Sequence, residues 1–184
     1  MVEILIKLAD VPNFAKDEYH PTQIKIYSEF TKLTFQALNL TSIQDFIKEL
    51  ANTLNLKHVK VRVMRLPSKK DKIMLTRNLR FVGEQLKGRV GPNLLIDIFP
   101  DLLWPNRLSS PYFSIAPRGF ILNNTIRALI HEMLHLSGII DENEVRKLTD
   151  EHYKVFRRKY LIYFDNEIKP LLKNWKKIES ELGL

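Results

Sequence analysis

Apolar residues in the N-terminal part of the chain recur every three or four positions, which is the spacing of one face of a helix. This spacing predicts helices over residues 22–38 and 42–54. Thr41 and Gln44 are placed to form a capping box at the start of the second helix. Residues 1–8, ahead of both helices, are predicted as a short strand.

The spacing of apolar residues changes to two after the second helix, which predicts a small sheet. Residues 59–63 alternate valine with basic side chains, as a half-buried strand does. Further strands are predicted over residues 73–82 and 94–99. Residues 100–119 contain four prolines and are predicted as a long surface loop, with a short strand at residues 112–115.

The remainder of the chain has the apolar spacing of helices. The first of them is predicted over residues 125–136, with Asn123 and Asn124 as caps and Gly138 just past its end. Asp141 can cap the next helix, since an acidic side chain follows three residues later.

These elements together predict one α+β domain over residues 1–184. Its small, mostly antiparallel sheet follows an N-terminal helical part and precedes C-terminal helices. Residues 1–40 could form an N-terminal extension. Residues 166–184 contain the last helix, which is predicted to begin after Pro170.

Composition narrows the class of protein. The 184 residues include no cysteine, which excludes disulfides, cysteine-ligated zinc and thiol catalysis. The chain has no apolar run of about 18 residues, so no membrane partner is predicted. Its first ten residues carry a charge every few positions, unlike a signal peptide. We therefore expect a basic protein of the cytoplasm.

The positive charge is concentrated in one segment. Residues 57–89 hold eleven lysines and arginines against Asp71 and Glu84, a net charge of +9, whereas the whole chain carries +8. Such a segment could bind nucleic acid or an acidic partner. The alternative is a solvated strand face with edges protected by lysine, and this alternative is the commoner one.

One pentapeptide carries recognisable chemistry. His131-Glu132-Met133-Leu134-His135 matches H-E-x-x-H and falls on the helix predicted over residues 125–136. Positions four apart project from the same helix face, so both imidazoles can reach one metal ion. Zinc suits two neutral imidazoles with an oxygen ligand, and Glu132 is placed to take a proton from a zinc-bound water.

The residues 131–141, His-Glu-Met-Leu-His-Leu-Ser-Gly-Ile-Ile-Asp, resemble zincin metallopeptidases. The longer pattern H-E-x-x-H-x-x-G-x-x-D is similar to that of metzincins, although no methionine follows Asp141 to form their methionine turn. This resemblance implies a zincin-like fold and a zinc ion held by His131, His135 and Asp141. It also implies Glu132 as general base and a turn at Gly138.

Several residues compete to be the third metal ligand. Asp141 is equally suited to cap the following helix. Glu142 and Glu144 lie where the glutamate ligand of gluzincin-like enzymes lies, on the second helix, although acidic residues also favour any helix start. His152 resembles the third histidine of SprT-like zincins, but a histidine on an apolar helix face is more often a core residue.

The function expected from these residues is that of a zinc-dependent metallopeptidase. A water activated by the metal, with Glu132 as base, would attack a peptide bond of a protein or peptide substrate. The alternative is a nucleic-acid-associated or regulatory protein of the same fold, whose zinc site is structural or acts on a single partner.

Overall fold

The computed structural model describes residues 2–63, 88–91, 95–98 and 117–182. Its elements, in chain order, are β1 (Glu3–Leu8), α1 (Ala15–Glu18), α2 (Pro21–Leu38), α3 (Thr41–Thr53), β2 (His58–Val63), β3 (Gly88–Gly91), β4 (Leu95–Ile98), α4 (Pro117–Phe120), a π-helical segment (Ile121–Ile126), α5 (Arg127–Leu136), α6 (Glu142–Lys159) and α7 (Leu161–Leu182). The strands predicted at residues 73–82 and 112–115 lie outside the described residues.

The expected mixture of helices with a small sheet is confirmed, but the expected antiparallel sheet is wrong. The strand order is β1-β2-β4-β3, and only β3 runs antiparallel to its neighbour. β1 and β2 are parallel because a long connection that contains α1, α2 and α3 joins them. A connection of that length carries the chain back to the same end of the sheet, whereas a tight hairpin reverses it.

One face of the sheet builds the core. Val59, Val61 and Val63 of β2 are at most 1% exposed, while Lys60 between them is exposed and Arg62 is half-buried. This is the alternation predicted for residues 59–63, which is therefore confirmed. Helices α2, α3 and α5 contact the strands.

Residues 2–40 contribute side chains to this core. β1 pairs with β2 along its full length, and the buried side chains of α2 belong to the same hydrophobic cluster as those of α5 and α7. Within the described part of the chain, no helix is long and apolar enough to cross a membrane.

The start of α3 differs from the predicted capping box. Thr41 is the first residue of the helix, and its N-cap, Leu40, has no side chain that can accept a hydrogen bond. A carboxylate from α7 replaces the missing cap: Glu167 Oε2 accepts hydrogen bonds from the backbone N–H of Ser42 at 3.0 Å and from its hydroxyl at 2.6 Å.

The helix that carries the H-E-x-x-H residues begins earlier than predicted. Helical backbone starts at Pro117 and continues through the π-helical segment into α5, so Asn123 and Asn124 lie within a helix and do not cap one. The loop predicted over residues 100–119 therefore extends too far along the chain. Pro117 fits the first turn of a helix, so it begins a helix and does not lie in the loop.

The last helix also begins earlier than predicted. α7 starts at Leu161 and contains Pro170 in its interior. Pro170 is exposed, so its ring lies on the solvent side, and the missing N–H removes the hydrogen bond normally donated to residue 166. Phe164, Ile168 and Trp175 bury one face of this helix in the core.

Candidate metal centre

α5 holds both histidines of the pentapeptide at the surface of the core. Ile130, Met133 and Leu134 are fully buried and anchor the opposite side of the helix. His131 and His135 lie one turn apart on the other side, with 23% and 22% of their side chains exposed. Their Nε2 atoms are 3.1 Å apart, so both point toward the same place.

The turn after α5 brings the chain back toward the two imidazoles. Ile139 N–H donates to the Leu134 carbonyl at 3.3 Å, and Gly138 N–H donates to the His135 carbonyl at 3.0 Å. This pair of bonds is a Schellman motif, which needs a residue with positive φ after the helix. Gly138 supplies it with a φ of 102°, as the sequence predicted.

The same turn orients His135. Its Nδ1 lies 2.8 Å from the backbone carbonyl oxygen of Ile139. A carbonyl oxygen only accepts hydrogen bonds, so Nδ1 carries the proton and donates it. In a neutral imidazole, Nε2 then presents its lone pair toward His131, which is the tautomer that a metal ligand needs.

Glu142 completes a group of three residues that could bind a metal. Its two carboxylate oxygens lie 3.5 Å from His131 Nε2 and 3.2 Å from His135 Nε2. A tetrahedral zinc ion with ligand bonds of about 2.0–2.1 Å holds its ligand atoms about 3.3–3.4 Å apart. The two Nε2 atoms are 3.1 Å apart, and the Glu142 oxygen nearest to each lies 3.5 Å from His131 and 3.2 Å from His135, all close to this value. With one ligand atom taken from each residue, the three atoms lie within 4.8 Å of one another.

The other residues considered as third ligand are placed differently. Asp141 is the N-cap of α6, where its Oδ1 accepts a hydrogen bond from the backbone N–H of Glu144 at 2.8 Å. His152 lies ten residues beyond Glu142, about 15 Å along the helix. Among the described residues, the group that could hold a metal consists of His131, His135 and Glu142. The structure thus brings Glu142, rather than Asp141, to the imidazoles.

His152 is partly shielded from solvent. It is half-buried on α6, and burial lowers the pKa of its imidazole below the usual value, because the charged form loses hydration. The nearby carboxylate of Glu151 opposes this effect but is outweighed by burial.

Glu132 lies beside the ligand pair on α5. It is 6% exposed, which is unusual for a glutamate. Its side chain leaves the helix about 60° around the axis from that of His135, since successive residues are about 100° apart. A buried carboxylate therefore lies on the same helix as the two imidazoles.

The sequence reasoning missed a second polar contact between α5 and α6. Arg127 lies one turn before His131; its guanidinium pairs with Asp150 and stacks over the Tyr153 ring, 5.1 Å from the ring centre. The Tyr153 hydroxyl donates to Asn123 Oδ1 in the π-helical segment at 2.9 Å. The four-residue spacing between Arg127 and His131 was the available signal for a polar face longer than the pentapeptide.

The basic segment lies mostly outside the described residues. Of residues 57–89, the structure describes 57–63 and 88–89, where Lys57 and Lys60 are exposed. Binding of nucleic acid or of an acidic partner through this segment stays a prediction.

No protein-family model, no curated protein and no solved structure matches this chain. The resemblance to zincins therefore depends on residues 131–141 alone, and any function depends on the geometry around α5.

Proposed function

We propose that the protein is a zinc-dependent peptidase whose metal is held by His131, His135 and Glu142. The observation that carries the proposal is the convergence of His131, His135 and Glu142: one ligand atom from each lies within 4.8 Å of the others, and the shortest contacts between the three side chains are 3.1, 3.2 and 3.5 Å. Lone pairs so close together repel one another unless a cation or a proton lies between them. Two imidazoles with one carboxylate form a set that zinc enzymes use, with the fourth position left for water or substrate.

Each residue has a separate task in this proposal. His131 and His135 bind the metal through Nε2, and the Ile139 carbonyl holds His135 in the required tautomer. Glu142 contributes the anionic ligand from the first turn of α6. Glu132 accepts the proton of the attacking water and returns it to the leaving amine. Zinc, when bound, polarises the substrate carbonyl and makes the water more acidic.

The substrate class comes from the resemblance of residues 131–141 to zincin metallopeptidases, which implies cleavage of a peptide or protein. The competing proposal keeps the metal but gives it a structural role, in a nucleic-acid-associated or regulatory protein. Glu132 separates the two proposals, because a structural zinc site has no use for a general base beside its ligands.

The experiment measures zinc and hydrolysis in the full chain. Purified protein is expected to contain about one zinc per chain by mass spectrometry of the metal. Glu132→Gln should retain that zinc, yet reduce cleavage of a mixed-sequence peptide library by at least about 100-fold, since a general base contributes that much or more. Glu151→Gln, which changes an exposed glutamate on α6, is the matched control and should cleave normally.

Two results would contradict the peptidase. Absence of zinc from protein loaded with the metal and then dialysed would exclude the site. Zinc-loaded protein that cleaves no library peptide, or that cleaves equally well as Glu132→Gln, would favour the structural role.

A further inference from the structure

β1 lies at one end of the sheet, and no described strand lies beyond it. Its residues alternate between two environments. Glu3, Leu5 and Lys7 are exposed, and Leu5 shows 40% of its surface to solvent. Ile4 and Ile6 face the core side but are only half-buried, and no strand among the described residues lies beside them on the outer edge. An edge strand with apolar residues on both faces is suited to pair with another strand.

The backbone hydrogen bonds decide which residues can form that pair. Glu3 N–H donates to the Lys57 carbonyl at 3.0 Å, and Ala9 N–H donates to the Val63 carbonyl at 2.9 Å. In a strand, the N–H and C=O of one residue point to the same side, and the side alternates at each residue. Odd-numbered residues of β1 therefore bond to β2, whereas Ile4 and Ile6 direct their N–H and C=O groups to the outer edge.

We propose that β1 pairs antiparallel with β1 of a second copy of this chain, about a two-fold axis at Leu5. In this register Ile4 lies opposite the partner's Ile6, and Ile6 lies opposite the partner's Ile4. Both residues have outward-facing N–H and C=O groups, so each pair exchanges two backbone hydrogen bonds. A two-fold axis is also the commonest symmetry of soluble homo-oligomers.

The charges on the exposed face fit the same register. Glu3 lies opposite the partner's Lys7 at both ends of the pair, and Leu5 lies opposite the partner's Leu5. These are non-hydrogen-bonded pairs, in which facing side chains are closest, with Cα atoms about 4.5 Å apart. Opposite charges at such positions stabilise antiparallel pairing.

A neighbour on β2 strengthens the case for an acidic partner at Lys7. Lys7 is in register with Arg62 of β2, so two cationic side chains are adjacent on the same face. A carboxylate on the other side of Lys7 would be attracted by a cation on this face. At the other end of β1, Glu3 contacts His58 Nδ1 at 2.8 Å, and its carboxylate remains exposed enough to reach a second cation.

Other registers lose these contacts. The next registers that can form backbone hydrogen bonds differ by two residues. A register shifted by one residue turns the N–H and C=O groups of the two strands away from each other. A register shifted by two residues in one direction places Glu3 opposite the partner's Leu5. A register shifted by two residues in the other direction places Lys7 opposite the partner's Leu5. Only the register centred on Leu5 pairs both charges and both isoleucines.

The experiment follows the mass of the full chain in solution. Multi-angle light scattering and sedimentation, between about 1 and 200 μM protein, should show a concentration-dependent change from the 21.7 kDa chain to twice that mass. Glu3→Lys and Lys7→Glu should each weaken the dimer about tenfold or more, because each variant places like charges opposite one another at two positions.

The double variant tests the register itself. Glu3→Lys with Lys7→Glu exchanges the two charges and should restore the wild-type dissociation constant to within about threefold. The matched control exchanges the charges of the exposed pair Asp45 and Lys48 on α3, and it should not affect the dimer. Protein that stays monomeric at every concentration would overturn the proposal. A dimer that ignores the single variants, or that the double variant does not restore, would overturn the β1 register.

Discussion

His135 donates a hydrogen bond from Nδ1 to the backbone carbonyl of Ile139, four residues further along the chain, at 2.8 Å. The bond joins the last turn of α5 to the loop that leads to Glu142. It therefore does two things: it fixes the tautomer of one candidate ligand, and it holds the loop that delivers another. The local structure of the turn and the chemistry of the site depend on the same few atoms.

Gly138 is the residue on which this turn depends. A Cβ at Gly138 would meet no atom within 4 Å, so the penalty for alanine comes from its φ of 102° and not from a clash. We expect Gly138→Ala to cost about 1–2 kcal/mol of folding free energy, or about 2–4 °C in Tm per kcal/mol at this chain length. Its zinc affinity should fall about tenfold or more as the Ile139 carbonyl moves.

Gly119 offers a matched control for that change. It lies in α4 without a positive φ, and a Cβ there also meets nothing within 4 Å. Gly119→Ala should therefore leave zinc affinity unchanged and stabilise the protein by up to about 1 kcal/mol. Thermal unfolding and a chelator-competition titration measure both quantities. Equal effects of the two alanines would show that the turn at Gly138 does not position the site.

A pair of amide variants separates Glu142 from Asp141 as the third ligand. Glu142→Gln removes a carboxylate that lies 3.2 Å from His135 Nε2, so zinc affinity should fall more than about tenfold. Asp141→Asn keeps a side chain that caps helices equally well, so α6 should persist and zinc affinity should stay within about threefold of wild type. Loss of zinc from Asp141→Asn, with Glu142→Gln unaffected, would reverse the assignment.

The elements around the core could be predicted because each depends on local spacing. The alternation in residues 59–63 and the helical spacing in residues 22–38 and 42–54 correspond to β2, α2 and α3. Strand direction could not be found in this way, because alternation indicates which face is buried and not how the neighbour runs. The available signal was the pair of helices between β1 and β2, since a long connection favours parallel strands.

Only the part of the site that lies on α5 could be predicted from the sequence. His131 and His135 follow from spacing alone, but the choice between Asp141 and Glu142 depends on the residue at which α6 begins. Neighbouring residues at a helix start point in directions about 100° apart. An error of one residue in the predicted start of α6 therefore exchanges the residue that caps the helix with the residue that faces the imidazoles. Contacts such as that of Ser42 with Glu167, 125 residues apart, have no local pattern.

Glu167 should contribute to stability through that contact. Its carboxylate supplies the cap that Leu40 cannot supply, so Glu167→Ala leaves the Ser42 N–H and hydroxyl without this acceptor. We expect a loss of about 1–2 kcal/mol, measured by denaturant unfolding. Glu181→Ala, at an exposed position of the same helix, is the control and should change stability by less than about 0.5 kcal/mol. Similar losses from both variants would argue against the cap.

His152 should affect acid stability and leave the metal in place. Burial lowers its pKa in the folded protein, so the unfolded chain binds more protons once the pH falls below the ordinary value of about 6.5. Stability from this group is present above that pH and is lost as the pH falls. His152→Leu should keep its zinc. Its Tm should rise relative to that of wild type as the pH is lowered from 8 to 5, because wild type alone loses this stability. Loss of zinc from this variant would return His152 to the ligand set.

Glu49 should produce a second acid-dependent loss of stability. Its two oxygens accept hydrogen bonds from Lys159 Nζ and from the Tyr160 hydroxyl, each at 2.6 Å. Chiefly the bond from Lys159, and then that from Tyr160, lower the pKa of Glu49. The stabilisation is therefore complete above the ordinary pKa of 4.5 and is lost as the pH falls through the lowered value.

Tyr160 keeps its proton throughout that range, because burial, followed by the carboxylate of Glu49, raises its pKa to about 12. The loss of stability in acid, called the acid limb below, consequently comes from protonation of the Glu49 carboxylate. The Tm of wild type should exceed that of Glu49→Gln at pH 7, and the difference should shrink toward zero near pH 3, where both side chains are neutral. Tyr160→Phe should shift this limb to higher pH. Thermal unfolding monitored by circular dichroism measures these Tm values. A Tm difference between wild type and Glu49→Gln that stays constant from pH 3 to 8 would contradict the assignment to Glu49.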